Sequence, residues 1–282
     1  MLIKKLKLGV CDDLDFEMRC KNGLKYFIIP SFESTGLVKH GVSTRAFKLY
    51  TGLYRFVSEK TKVEDKNEII RDYRLFCDLL GLDMRDLVSS DQVHGDGINV
   101  VSSGDRGKGI SRESDIIKTD GLITNDKGVA LITYYADCVP LFFLDVATPA
   151  IGISHSGWRG SLKKIGQKTV IKMMDQFGSK PENMLVGIGP SIKKCCYEVD
   201  RPIIESLKKA FKTWEQFVEK SREGHWMLDL VKINVLQLEE VGIKRDNITI
   251  SSYCTSCRND LFYSYRADGK REGSLAAVIQ LK

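Results

Sequence analysis

The chain has 282 residues, of which 43% are hydrophobic, so it can bury a substantial core as one large domain or two modest ones. Its net charge of +6 comes from 43 basic and 37 acidic residues mixed along the chain, too diffuse to mark a nucleic-acid surface but compatible with an anionic small substrate. Apolar runs such as 139–144 are far too short to span a bilayer, the opening MLIKKLKLGV lacks a signal-peptide core, and eight cysteines are too sparse for a disulfide scaffold. The expectation is a cytoplasmic protein with no membrane or nucleic-acid partner, its cysteines held as thiols or metal ligands; its oligomeric state is not legible.

Residues 24–32, LKYFIIPSF, have the density of β-branched and aromatic side chains of a buried strand, and 40–45, HGVSTR, read as a second strand entering a loop. Between 63 and 82, Ile69, Ile70, Tyr73, Phe76, Leu79 and Leu80 recur at three- and four-residue spacing before Gly81, which predicts an amphipathic helix. A strand over 87–93 then puts His94 at a strand end, followed by a turn at Gly95, Asp96 and Gly97. The polar, glycine-bearing stretch 102–119 is expected as an exposed loop able to cover a site.

Four short apolar runs, 121–124, 129–135, 141–146 and 150–154, read as adjacent sheet strands. Helical rhythm over 160–177 is followed by a strand at 183–189, helices at 202–214 and 228–241, and strands at 248–253 and 274–281. Strands interspersed with helices, with no repeat or linker, predict one α/β domain over 1–282 with helices on both sheet faces.

The chemistry gathers in 133–160, TYYADCVPLFFLDVATPAIGISHSGWRG, where Cys138 and His155 bracket two apolar runs, with His94 upstream in DQVHG. Each is followed within two residues by Gly or Pro, as suits ligands on strand-to-loop corners. Two imidazoles and a thiolate are the three protein ligands of a catalytic zinc site with an open fourth position. Spacing alone leaves the bland reading open, in which a buried histidine bonds a carbonyl and a buried cysteine acts as a small hydrophobe. A nucleophilic Cys138 with His155 as base is a further reading. Asp137 and Gln92 flank these residues and are candidates to orient an imidazole or carry a proton. Arg159, beside Trp158, is a candidate for shaping the pocket, and Arg45 for holding an anion.

Cys254-Thr255-Ser256-Cys257 and Cys195-Cys196 together supply the four thiols of a structural zinc site. Adjacent cysteines in an extended chain point apart, however. The reading adopted is therefore buried thiols near a sheet edge.

The stretches DQVHG, TDGLITNDKGVAL, ADCVPLFFLD, SHSGWRG, GIGPSI, CCYEVD and FYSYRADG, in this order, resemble the YfiH-like family, from about His40 to the C-terminus. That family carries the names multicopper polyphenol oxidoreductase, purine nucleoside phosphorylase and peptidoglycan editing factor. The resemblance implies a three-layer α/β/α sandwich with a mixed sheet and a catalytic Zn²⁺ on His94, Cys138 and His155. It implies phosphorolysis of adenosine, inosine, guanosine or methylthioadenosine, with deamination of adenosine by attack of a zinc-activated water on C6. Hydrolysis of a misincorporated L-Ser from a UDP-MurNAc precursor is the main alternative, and a non-catalytic zinc protein the third.

The family pattern breaks at 46–56, AFKLYTGLYRF, and where a pair of arginines is usual before the late Asp-Gly only Arg266 remains. Arg45 and Arg266 are the phosphate-binding candidates. Four histidines cannot populate a multicopper cluster, so a single metal is the bound, with Cu²⁺ able to substitute for Zn²⁺.

Overall fold

Apolar strand runs buried on both faces need cover on each side, and here each sheet is one cover for the other. The structure, a computed structural model, describes residues 15–50, 52–54, 63–269 and 273–282. Cys11, the opening decapeptide and residues 51, 55 and 56 of the divergent segment lie outside the described residues.

One six-stranded sheet runs in the order Glu17–Lys21 (β1), Leu24–Ile28 (β2), Val38–Ser43 (β3), Leu275–Leu281 (β15), Ala130–Tyr135 (β7) and Leu87–Ser89 (β4). The other runs Ile248–Ile250 (β14), Met184–Ile188 (β10), Val139–Asp145 (β8), Ala150–Ser156 (β9), Gly121–Thr124 (β6) and Ile98–Val100 (β5). Both are mixed: β4 lies parallel to β7 in the first, and β14 to β10 and β5 to β6 in the second, with the other pairs antiparallel.

Successive side chains of a strand point to opposite faces, and β8 shows what this does. Phe142 and Leu144 point into the layer between the sheets, meeting Phe27, Val42, Leu131 and Ile279. Val139, Leu141 and Phe143 point outward under helices Ile165–Phe177 (α4), Arg201–Ala210 (α5) and Leu230–Glu240 (α6), against Val170, Met173, Leu207 and Ile233. Helix Val63–Leu80 (α2) covers the outer face of the first sheet with Ile69, Tyr73 and Phe76. Each such apolar side chain contributes about 1.5–3 kcal/mol on burial.

The α/β class, the mixed strand directions and the helices on both outer faces are as expected, and the β layer is double. Run 129–135 joins the first sheet while its neighbours in sequence build the second. Several boundaries are corrected. The strand over 24–32 ends at Ile28, because Pro30 opens the short helix Pro30–Glu33 (α1). Pairing over 87–93 stops at Ser89, so His94 sits on a loop.

The helix over 160–177 is two helices, Trp158–Leu162 (α3) and α4, separated where Lys164 takes φ +61°. The helix expected over 202–214 ends at Ala210, and a small sheet of Glu198–Asp200 (β11), His225–Leu228 (β13) and Val218–Arg222 (β12) was not anticipated, its strands being short and its two outer ones polar. Stretch 102–119 is pinned along β4, with Ile110 and Ile116 buried and the Ser89 amide donating to the Lys108 carbonyl, and it does not line the site. Among the described residues no helix is long and apolar enough to cross a membrane.

Candidate metal centre and active site

Strands β8 and β9 run antiparallel with Pro140 opposite His155, so the residue leading into β8 and one near the end of β9 share an end of the second sheet. Asp137, at φ +86°, turns the chain to deliver Cys138. His94 enters from the loop between β4 and β5, also with a left-handed φ, +59°. The ligand atoms of His94, Cys138 and His155 lie within 4.8 Å of one another. The two imidazoles meet edge to face, with centroids 4.7 Å apart.

Asp120 organises this cluster. Its Oδ1 lies 2.8 Å from Nδ1 of His155, which leaves Nε2 to face a metal. The same carboxylate accepts from the backbone amides of Val93, His94 and Gly95 at 3.1, 3.0 and 2.7 Å. One fully buried carboxylate thus orients one ligand ring and holds the loop that carries another. Burial opposes its charge, but His155 and the loop amides prevail and keep its pKa below the usual carboxylate value.

Burial also opposes ionisation of Cys138, yet the charge of His155 and hydrogen bonds from His155 and His94 draw the thiol down to about 6. Burial disfavours the His155 imidazolium, while Cys138 and Asp120 raise it to about 9. Each group thus favours the charged form of the other. A metal held here would take Cys138 as thiolate and His155 as neutral imidazole.

The three ligands line a cavity of about 500 Å³ together with Gln92, Asp137, Trp158, Arg159, Tyr197 and Arg266. A set of two nitrogens and one sulfur, open toward a cavity, fits a tetrahedral zinc ion with one free position. It does not fit a copper cluster: His40 is buried beside Phe32, and His225 lies on β13 with its ring bonded to the Glu223 carbonyl. A larger cavity, about 700 Å³, lies beside α2; it includes Cys77, which burial pushes up to about 12, but no ligand cluster among the described residues.

The predicted flanking residues divide by what they touch. Gln92 clasps the backbone of Tyr134, its Oε1 accepting from the amide at 2.8 Å and its Nε2 donating to the carbonyl at 3.1 Å. Asp137 does not orient an imidazole; its oxygens accept from the Thr255 hydroxyl at 2.7 Å and the Arg266 amide at 2.8 Å. Arg266 lines the cavity, but its guanidinium donates to the carbonyls of Cys196 and Glu198, both at 2.9 Å. Arg159 stacks over Trp158, 4.4 Å from the ring centroid, with no ion pair among the described residues. Arg45 is not brought to the cavity: it lies 3.6 Å from Asp268 and over the Tyr263 ring.

Asp120 was missed as a site residue although the TDG stretch contains it. An acid directly before the run Gly121-Leu122-Ile123 of a buried strand is the available signal. Tyr197, which follows the cysteine pair into the cavity wall, carried none. The cysteine reading is also corrected: Cys195 and Cys257 are exposed and Cys196 half-buried, and only Cys254 of the four is buried. Residues 194–196 form a turn, not an extended stretch, so the adjacent thiols converge with Cys254 and Cys257 within 4.8 Å.

Fold and site together define an α/β protein with a centre of two histidines and one cysteine, able to hold a metal ion, at one end of paired strands. The chain belongs to the family described as multi-copper polyphenol oxidoreductase laccase, whose model matches residues 39–282. It is 34% identical over 245 residues to the purine nucleoside phosphorylase YlmD of Bacillus subtilis, covering 86% of this chain and 85% of that one. It is 31% identical over 205 residues to adenosine deaminase RL5 from an unknown prokaryotic organism, covering 72% and 78%. The crystal structure of the Bacillus licheniformis hypothetical protein YfiH superposes with a TM-score of 0.81 at 29% identity, over 94% of this chain and 99% of that one.

Proposed function

We propose that this protein is a zinc-dependent purine nucleoside phosphorylase that also deaminates adenosine. The observation that carries the reading is the convergence of His94, Cys138 and His155 at a cavity of nucleoside size, with His155 held by buried Asp120. The relatives named purine nucleoside phosphorylase and adenosine deaminase supply the substrate class. When bound, zinc supplies Lewis-acid chemistry, withdrawing electron density from an oxygen of water or phosphate.

The chain's own residues do the rest. Trp158 and Tyr197, each with an arginine over its ring, bring aromatic surface to the cavity for a purine to contact. Arg159 has a guanidinium not committed to an ion pair among the described residues and takes the phosphate, whereas Arg266 spends its donors on the cavity wall. In phosphorolysis a phosphate oxygen bonds to the anomeric carbon as the glycosidic C–N bond breaks and the purine leaves. In deamination a water oxygen bonds to C6 and ammonia leaves.

Purified protein given adenosine with phosphate is expected to form adenine and ribose-1-phosphate, and without phosphate to form inosine. Neither product, from protein carrying its metal, sinks the reading. A second reading follows from the Cys138 thiolate beside His155, which is also the dyad of a cysteine hydrolase acting on an amide such as that of the serine-bearing cell-wall precursor. A chelator abolishes turnover of the zinc enzyme and Zn²⁺ restores it, while the cysteine hydrolase survives chelation and dies on alkylation of Cys138.

A further inference from the structure

Cys195 and Cys196 lie in the segment between β10 and β11, and Cys254 and Cys257 in the turn after β14, more than fifty residues further along the chain. Two backbone turns aim the four thiols at one point. The amides of Cys196 and Tyr197 both donate to the Lys193 carbonyl at 3.0 Å, and the Arg258 amide donates to the Cys254 carbonyl at 3.0 Å. The two segments are stitched side by side through a parallel bridge between Ser191 and Cys254, and the Thr255 amide donates to the Ser191 carbonyl at 3.1 Å.

The spacing decides what the cluster is built for. Sγ of Cys257 lies 3.6 Å from that of Cys195 and 3.3 Å from that of Cys196, and all four sulfurs lie within 4.8 Å of one another. A disulfide needs sulfurs about 2.05 Å apart. Thiolates bound to one zinc ion at about 2.3 Å sit on a tetrahedron whose edges are about 3.8 Å. The two Cys257 separations lie just inside that edge and all the others are bounded by 4.8 Å, which leaves no room for the inorganic core of an iron–sulfur cluster.

The surroundings suit an anionic centre. The Lys193 amide donates to Sγ of Cys254 at 3.4 Å, and the Cys257 amide bonds the same sulfur. The Lys193 ammonium is buried with no hydrogen-bond partner among the described residues; burial disfavours its charge, and Asp229, ahead of Cys254 and Cys195, favours it. Four thiolates around Zn²⁺ carry two net negative charges, which such an ammonium offsets.

We propose that Cys195, Cys196, Cys254 and Cys257 bind a single structural zinc ion, separate from the cavity centre. The thiols lose their protons to solvent on binding, and no redox change is involved. The ion ties two loops behind the cavity wall. Arg266 donates to the Cys196 carbonyl, the Ile192 amide donates to the Asp137 carbonyl at 2.9 Å, and Thr255 holds the Asp137 carboxylate. Tyr197, adjacent to Cys196, faces the cavity.

The test is metal analysis of the His94→Ala/Cys138→Ala variant, which removes two of the three cavity ligands and leaves His155 alone there, purified without chelator. One zinc per chain is expected, with X-ray absorption giving four sulfur neighbours and no nitrogen. Adding Cys195→Ser and Cys257→Ser takes zinc to zero. Should that variant fail to fold, titration of the His94→Ala/Cys138→Ala protein with a mercurial that caps thiols reads the same site, and zinc release in step with four blocked sulfurs is expected. Zinc-free protein, bound iron, or zinc with nitrogen or oxygen in its shell overturns the proposal. With His155 the single cavity ligand left, none of these outcomes depends on the nucleoside reading.

Discussion

Asp120 and His155 are joined twice, by a 2.8 Å contact between carboxylate and imidazole Nδ1 and by a 2.7 Å bond from the His155 amide to the Asp120 carbonyl. The side-chain contact sets the ring's tautomer and the backbone bond its position. Asp120→Asn keeps the size but removes the charge that favours a metal-facing Nε2. A loss of about 10–100-fold in zinc affinity at the cavity is expected, as for other partners of metal-bound histidines. Competition against a chelator measures it, and unchanged affinity refutes the role.

His94→Ala, Cys138→Ala and His155→Ala each remove one donor of three. Each is expected to strip zinc from the cavity and reduce turnover at least about a hundredfold, while the tetrathiolate site stays loaded. Full cavity occupancy in any of them, read by metal analysis, removes that residue from the ligand set.

Gly157 is the first place where a single methyl group should separate site from fold. A Cβ there would stand 2.9 Å from Sγ of Cys138 and 3.2 Å from Cδ2 of His94, while its φ of −71° is one that alanine adopts freely. Gly157→Ala is expected to weaken cavity metal binding by about tenfold or more with the fold retained. A far-ultraviolet circular dichroism spectrum unlike that of the wild type would instead make the glycine a folding requirement.

His40 gives a pH signature of stability. Burial lowers its pKa to about 4, and its neutral Nε2 accepts from the Ile29 amide at 2.8 Å. In the unfolded chain the ring titrates near its ordinary value of about 6.5. Between those values the unfolded state binds the extra proton, so the contribution is complete above about pH 6.5 and drains away toward pH 4, by up to about 3 kcal/mol. His40→Gln is expected to flatten the fall of Tm between pH 7 and 4. An equal slope in both proteins rules out His40 as its source.

Periodicity located most elements because their packing is one-sided or fully enclosed. The α2 stripe of Ile69, Tyr73 and Phe76 and the β8 run Val139–Leu144 are examples. It could not say that β8 faces a sheet on one side and helices on the other, since Phe142 and Phe143 are alike in sequence. The polar strands EVD and VEKSR have no apolar face to betray them. At the site, the motif resemblance picked out His94, Cys138 and His155, and the structure brings them together. Asp120 escaped because three of its partners are backbone amides, which have no identity in sequence, and the fourth, the His155 ring, is thirty-five residues away. The four thiols were misjudged because a local turn reverses the rule for adjacent side chains.

The Asp120 carboxylate has one further consequence. It serves the loop amides of residues 93–95 and the metal-facing imidazole at once, so ordering that loop and loading the cavity are thermodynamically linked. Under the proposed function, zinc would act as a ligand of the native state, worth about 2.7 kcal/mol at a hundredfold excess over its dissociation constant. A cell short of the metal would hold less folded protein, and would lose molecules as well as turnover.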